Sequence, residues 1–182
     1  MSKSANKILA TAEELFNRDS FNAVGVDLIR DESGCSKTTM YTYFKNKQQL
    51  VMNVLTERDQ RFRESLQNFV GEAQDIEALD KIYDWHIQWF QQDHFKGCLF
   101  IRAVAESTSK ENEIHEISKA HKQWIYLFIS AKVQNLKHAD AITELCYNFI
   151  ESLISRFLVE GFNQDIADQN KSLLKLLIGK LQ

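Results

Sequence analysis

Residues 33–44 read SGCSKTTMYTYF, and this stretch decides the fold. Gly34 can take the positive φ that a tight helix stop requires. Ser36 is a strong N-cap for a new helix running from Lys37 to about Phe44. Upstream, a short helix is expected from about Val26 to Ser33, with Val26, Ile29 and Leu28 inward. Before it, Ile8, Ala12, Leu15 and Phe16 share one face of a helix from about Ser4 to Arg18. Asp19-Ser20 reads as its stop, and Phe21 is expected to pack back onto the core. Downstream, Asn46 caps a long helix reaching about Val70, with Val51, Leu55, Phe62, Leu66 and Phe69 on its inner stripe. Three helices over about 45 residues, the last two joined by a tight turn, describe a helix-turn-helix.

In that motif the second helix of the pair enters the major groove of duplex DNA. Helical spacing puts Met40 and Phe44 on the inward face and leaves Lys37, Thr38, Tyr41 and Thr42 outward or at the exposed start. Lysine donates to guanine O6 and N7, and threonine bonds a base edge or touches a thymine methyl. Tyr43 and Lys47 suit phosphate contacts that fix register. The free N–H groups near Asn46 suit a phosphate as well.

Charge agrees with this placement. The 182-residue chain carries a net charge of −3, so it is no histone-like polycation. Between Ser33 and Thr56, however, Lys37, Lys45 and Lys47 stand without a single acid, which opens that window to a polyanion. Hydrophobic residues make up 44% and charged residues 26%, ordinary for a globular protein. There is no proline and there are only six glycines, which suits helices joined by short connections. No apolar run approaches the roughly 20 residues of a membrane span. The start, MSKSANKILATAEELF, has spaced apolar positions broken by Glu13 and Glu14, unlike a secretory signal. A cytoplasmic chain without membrane contact is expected.

The stretch ILATAEELFNRDSFNAVGVDLIRDESGCSKTTMYTYFKNKQQLVMNVL resembles the TetR family of transcriptional regulators. The resemblance rests on A-x-x-L-F in the first helix, the G-C-S turn, and M-Y-T-Y-F-K-N-K-x-x-L, which parallels the family's L-Y-x-(H/Y)-F-x-x-K-x-x-L. It covers about residues 7–55. It implies that Lys37, Thr38, Tyr41 and Thr42 hold base-contacting or groove-facing positions, and that Thr39, Tyr43 and Lys47 hold phosphate contacts. Met40 and Phe44 take core positions. Arg30 and Ser33 depart from the family's small apolar residues in the helix before the turn. Gly25 stands where a Ser or Thr often caps that helix and touches phosphate.

Further helices are expected near 76–93, 98–109, 112–135, 139–160 and 166–181. The fourth carries Ile142, Leu145, Cys146, Phe149, Ile150, Leu153, Ile154 and Phe157, too wide a band for a surface helix. The last carries Ile166, Leu173, Leu174, Leu177, Ile178 and Leu181. These bands suggest an interface as well as a core. By resemblance they form the family's dimerising pair, a four-helix bundle across a two-fold axis. The resemblance also implies a small-molecule effector pocket in the middle helices. Candidate contacts there are His86, Trp89, Phe100, Arg102, Glu106, His121, Trp124, Phe128, Phe149 and Glu151. At this spacing the aromatics equally read as core, and Arg102 equally reads as pairing with Glu106 across one turn.

Cys35, Cys98 and Cys146 form no CxxC pair, and no HExxH or close His/Cys cluster appears, so neither metal nor cofactor is expected. Nor is there a GxSxG, a P-loop or a dinucleotide-binding glycine pattern, so no enzyme is expected. The expected architecture is all-α: an amino-terminal three-helix helix-turn-helix head (residues 1–50) and a helical effector-binding and dimerisation body (residues 51–182). The expected function is a homodimeric, ligand-responsive repressor on a palindromic double-stranded DNA operator. Two rivals stand beside it: a DNA-binding regulator or architectural protein without effector, and a helical-bundle enzyme or interaction module with a vestigial head.

Overall fold

The computed structural model describes residues 2–107 and 113–182. Its elements are α1 (Lys3–Asp19), α2 (Val26–Ser33), α3 (Lys37–Tyr43), α4 (Lys47–Val70), α5 (Asp75–Phe90), α6 (Leu99–Glu106), α7 (Glu113–Val133), α8 (Ala139–Glu160) and α9 (Gln164–Leu181). Among the described residues there is no strand, so the expected all-α class holds. The helix ends expected at 109 and 112 lie outside the described residues. The chain forms two compact units, residues 1–61 with 98–121, and residues 62–97 with 122–182. Helices α4 and α7 each begin in the first unit and end in the second.

The first unit is built on α1, whose Ile8, Ala12, Leu15 and Phe16 are fully buried. Phe21 folds back as expected, with its ring centroid 4.9 Å from that of Phe16. Helices α2 and α3 pack on α1 and on each other. Two inward assignments change. Leu28 is 38% exposed, because the buried row of α2 is Ile29 and Ser33, with Val26 half-buried, and Leu28 lies about 100° around from Ile29. On α4, Leu66 and Val70 take the inner row, and Phe69 is turned outward.

Two polar groups of α6 close the carboxyl end of α1. Arg102 Nη1 donates to the carbonyls of Phe16 (3.2 Å) and Asn17 (2.9 Å). These belong to the last turn of α1, where Phe16 O also accepts from Ser20 N–H at 3.2 Å, and a guanidinium there meets the negative end of the helix dipole. The carboxylate of Glu106 accepts from Asn22 N–H at 2.8 Å, and Asn22 Nδ2 donates to the Glu106 carbonyl at 3.4 Å. The two side chains that the spacing offers as an intrahelical pair thus serve the α1–α2 connection.

In the second unit α8 packs between α5 and α9. Tyr83 of α5 donates its hydroxyl to Ala167 O of α9 at 2.7 Å, and burial pushes that phenol up to about 12. Aromatic edges fill the space around α5: Phe62–Trp85 at 4.8 Å, Trp89–Phe95 at 5.1 Å and Phe90–Phe157 at 5.5 Å. Gly97 has φ +74°, and a Cβ there would stand 2.9 Å from Leu158 Cδ2, so glycine suits both the backbone and the space. The three cysteines are free, and burial pushes the Cys146 thiol up to about 12, which keeps it protonated. Among the described residues no helix is long and apolar enough to cross a membrane.

Removing the α6 donor tests the closure of α1. Arg102→Ala takes the charged donor from the Phe16 and Asn17 carbonyls, Phe16 O keeping the Ser20 N–H, so we expect a loss of about 1–3 kcal/mol. A lower urea midpoint at unchanged slope is the signature, and an unchanged midpoint refutes the closure.

Candidate nucleic-acid interface

The turn is set by three local devices. Gly34 ends α2 in the left-handed region at φ +62°, donating its N–H to Asp31 O. Ser33 is fully buried, and its hydroxyl donates to Arg30 O (3.2 Å) and accepts from Cys35 N–H (3.3 Å). The hydroxyl thereby does in the turn what a small apolar residue cannot. Ser36 then caps α3, its Oγ accepting from Thr39 N–H at 3.0 Å. At the far end, Asn46 Oδ1 accepts from Gln49 N–H while Gln49 Oε1 accepts from Lys45 N–H, both at 2.8 Å. This reciprocal arrangement starts α4 in the manner of a capping box.

Between these ends α3 presents two faces. Met40 and Phe44 are 2% and 4% exposed. Lys37, Thr38, Tyr41 and Thr42 all face solvent, together with Tyr43. The Thr42 hydroxyl donates to Thr38 O at 2.9 Å, leaving its oxygen lone pairs and its methyl available outward. Thr39 is half-buried and its hydroxyl shares a hydrogen bond with Ser36 Oγ at 2.8 Å.

Lys47 is placed differently from the others. It is half-buried and lines a cleft of about 200 Å³ with Phe21, Asn22, Val51, Ala103 and Glu106. Desolvation lowers its ammonium below the usual lysine range, and the nearby Glu106 carboxylate opposes that shift.

The effector-pocket candidates divide between the units. In the first, Phe100 stacks on His121 with centroids 3.7 Å apart, and His121 Nδ1 meets Asp59 Oδ1 at 2.7 Å. Arg102 and Glu106 serve the α1–α2 connection as described. In the second, buried His86 Nδ1 bonds Ile82 O at 2.7 Å, within ring-contact range of Trp85 and Trp89. Trp124 and Phe128 stack at 5.1 Å, with the Arg63 guanidinium 5.0 Å from the Trp124 ring. Glu151 accepts from Lys122 at 2.7 Å, and Phe149 is half-buried. Sequence reasoning missed Asp59, Arg63 and Lys122 as their partners. Asp59 and Lys122 are distant in the chain from the residues they hold, and no local spacing signals such pairs.

A short helix fixed across a tight turn, with an acid-free polar face outward, is the apparatus of a DNA-binding regulator. Residues 8–54 match the family model described as bacterial regulatory proteins, tetR family. The chain is 25% identical to the HTH-type transcriptional regulator YxaF of Bacillus subtilis (strain 168) over 178 residues, 96% of this chain and 91% of that protein. It is 20% identical to the fatty acid metabolism regulator protein of the same organism, over 94% of this chain and 92% of that one. Its fold matches a TetR-family transcriptional regulator from Streptomyces coelicolor with a TM-score of 0.87 at 19% identity, covering 99% of this chain and 97% of that one. Residues 8–54 thus match a TetR-family segment, and over nearly its whole length the chain is similar to transcriptional regulators.

One departure can be tested directly. Gly25 N-caps α2 at φ −84°, ψ 160° with no side-chain cap, and nothing lies within 4 Å of a Cβ placed there. Gly25→Ser fits without strain and adds an N-cap acceptor, so thermal or urea unfolding should show a gain of about 0.5–1 kcal/mol. A loss of stability contradicts this account of the helix start.

Proposed function

We propose that the chain is a cytoplasmic, ligand-responsive repressor that binds a palindromic duplex operator as a homodimer. Residues 1–50 serve as the DNA-binding domain, and residues 51–182 serve effector binding and dimerisation. The observation that carries the reading is the separation of faces on α3, with Met40 and Phe44 inward and Lys37, Thr38, Tyr41 and Thr42 outward. We assign those four outward side chains to base edges, and Thr39, Tyr43 and Lys47 to phosphates. Lys47 reaches a phosphate from the mouth of its cleft, where its desolvated ammonium gains an anionic partner.

Dimerisation is supported by apolar surface on the last two helices. Most of the α8 band is consumed by the core of its own unit, but Leu158 (46%) and Val159 (84%) remain exposed, as do Leu173 (46%) and Leu176 (57%) of α9. A two-fold pairing through these helices would set two reading helices about 34–36 Å apart, one DNA turn. An effector that binds better to another spacing weakens operator binding by its differential affinity. The relative named for fatty acid metabolism makes acyl compounds the first class to screen. The stacked Phe100–His121 pair and the engaged Arg102 and Glu106 support a second reading, a regulator whose body takes no effector. A thermal-melt screen in which no acyl compound or other metabolite stabilises the protein favours that second reading.

Selection of duplexes from a randomised pool, followed by gel shifts, tests the whole. A palindromic consensus bound by two chains is expected; failure to enrich any sequence sinks the reading. With that duplex, Lys37→Ala should cost discrimination at one base pair by about 1–3 kcal/mol. Lys47→Ala should weaken every sequence alike and flatten the log–log salt dependence by about 0.9. Leu176→Glu combined with Val159→Glu should yield monomers in sedimentation velocity and abolish two-site binding; an intact dimer places the interface elsewhere.

A further inference from the structure

We infer that Asp27, on the helix before the turn, is a positioning residue for sequence reading, its carboxylate presetting the Lys37 ammonium at the entrance to α3. The inference rests on the assignment of Lys37 to a base edge. Asp27 Oδ1 accepts from Lys37 Nζ at 3.3 Å and from Arg30 Nη1 at 3.0 Å. Arg30 is in turn held on its other side by Asp31 Oδ1, 2.7 Å from Nη2. A guanidinium fixed between two carboxylates one helical turn apart gives Asp27 a defined orientation before any ligand arrives.

Neither partner of the Lys37 contact is buried: the side chains are 52% and 65% exposed. Exposed pairs of this kind add little to folding, so stability does not explain the arrangement. An acid at this place also opposes any approaching polyanion. Its benefit lies with the lysine. A free lysine stem loses much rotamer freedom when it docks, and Asp27 restricts that freedom in advance. The ammonium has three donors; one on Asp27 leaves two for an N7 and O6 pair.

The carboxylate also decides what Lys37 does on a wrong sequence. No acid lies between Ser33 and Thr56, so the restraint on Lys37 comes from α2. Held there, the ammonium keeps Asp27 when no base acceptor faces it and contributes nothing to sequence-independent binding. Released, it swings to the nearest phosphate on any duplex, where contacts position without specifying.

The test uses the full chain and two duplexes, one recovered by the unmodified protein from a randomised pool and one with the same base pairs scrambled. Asp27→Asn keeps the shape and removes the charge. Binding to the scrambled duplex should tighten several-fold, with a salt slope steeper by about 0.9. Affinity for the recovered duplex should stay level or fall, so the ratio of the two drops. In a Lys37→Ala chain, Asp27→Asn should move both duplexes equally and leave the ratio alone. A ratio that still drops without Lys37, or an equal shift on both duplexes with Lys37 present, overturns the positioning role. If Lys37→Ala by itself leaves the ratio unchanged, the base assignment of Lys37 falls and takes this inference with it. A ratio that responds to Lys37→Ala and not to Asp27→Asn removes the inference alone.

Discussion

A helix of seven residues does not hold itself together in water, because nucleation costs more than so few hydrogen bonds return. Helix α3 exists because Met40 and Phe44 are driven into the core of the first unit, a burial worth roughly 1.5–3 kcal/mol for each side chain. Everything outward follows from that anchoring. Once positions 40 and 44 face in, positions 38, 41 and 42 face out, while Lys37, on the side of Met40, is exposed because it opens the helix. The caps at Ser36 and Asn46 and the left-handed Gly34 define where the helix starts and stops. The pair of buried side chains defines its roll.

These are local devices, and that is why the head was legible from sequence. A cap, a glycine and a three-to-four spacing each act within a few residues, and the family motif gathers them into one stretch. At Leu28 and Phe69 local spacing does not fix the inner face. Either helix offers more apolar positions than its neighbours can cover, and only packing decides which row goes inside. Ser33 shows the reverse: a polar residue in an apolar place is read as a departure, yet its hydroxyl ties Arg30 O to Cys35 N–H across the turn.

The body was legible in outline and not in its contacts. Arg102 and Glu106 stand four apart on α6, the spacing of an intrahelical ion pair, but Arg102 is spent on the end of α1 and Glu106 on Asn22 in the loop that follows, more than eighty residues earlier. Nothing in the sequence distinguishes these uses, since carbonyls at a helix end carry no signature of their own. The consequence reaches past one helix. Part of the chain that lies far beyond residue 50 belongs to the same compact unit as α3, and polar contacts with α1 and its following loop help to hold it there.

The buried polar groups of α7 carry the point further. His121 is 2% exposed and meets Asp59 at 2.7 Å within the first unit, while its neighbour Lys122 gives its ammonium to Glu151 at 2.7 Å within the second. Consecutive residues on one helix therefore answer to different cores. Removing one member of a partly buried polar pair strands the other, at a cost that exceeds what the pair itself contributes. A molecule that acted on α7 by taking His121 or Lys122 would have to supply a replacement acceptor of equal quality for each. Apolar contact alone does not meet that demand. An effector working there would need a polar end as well as an apolar body, and a chain without effector would keep both pairs closed as they are.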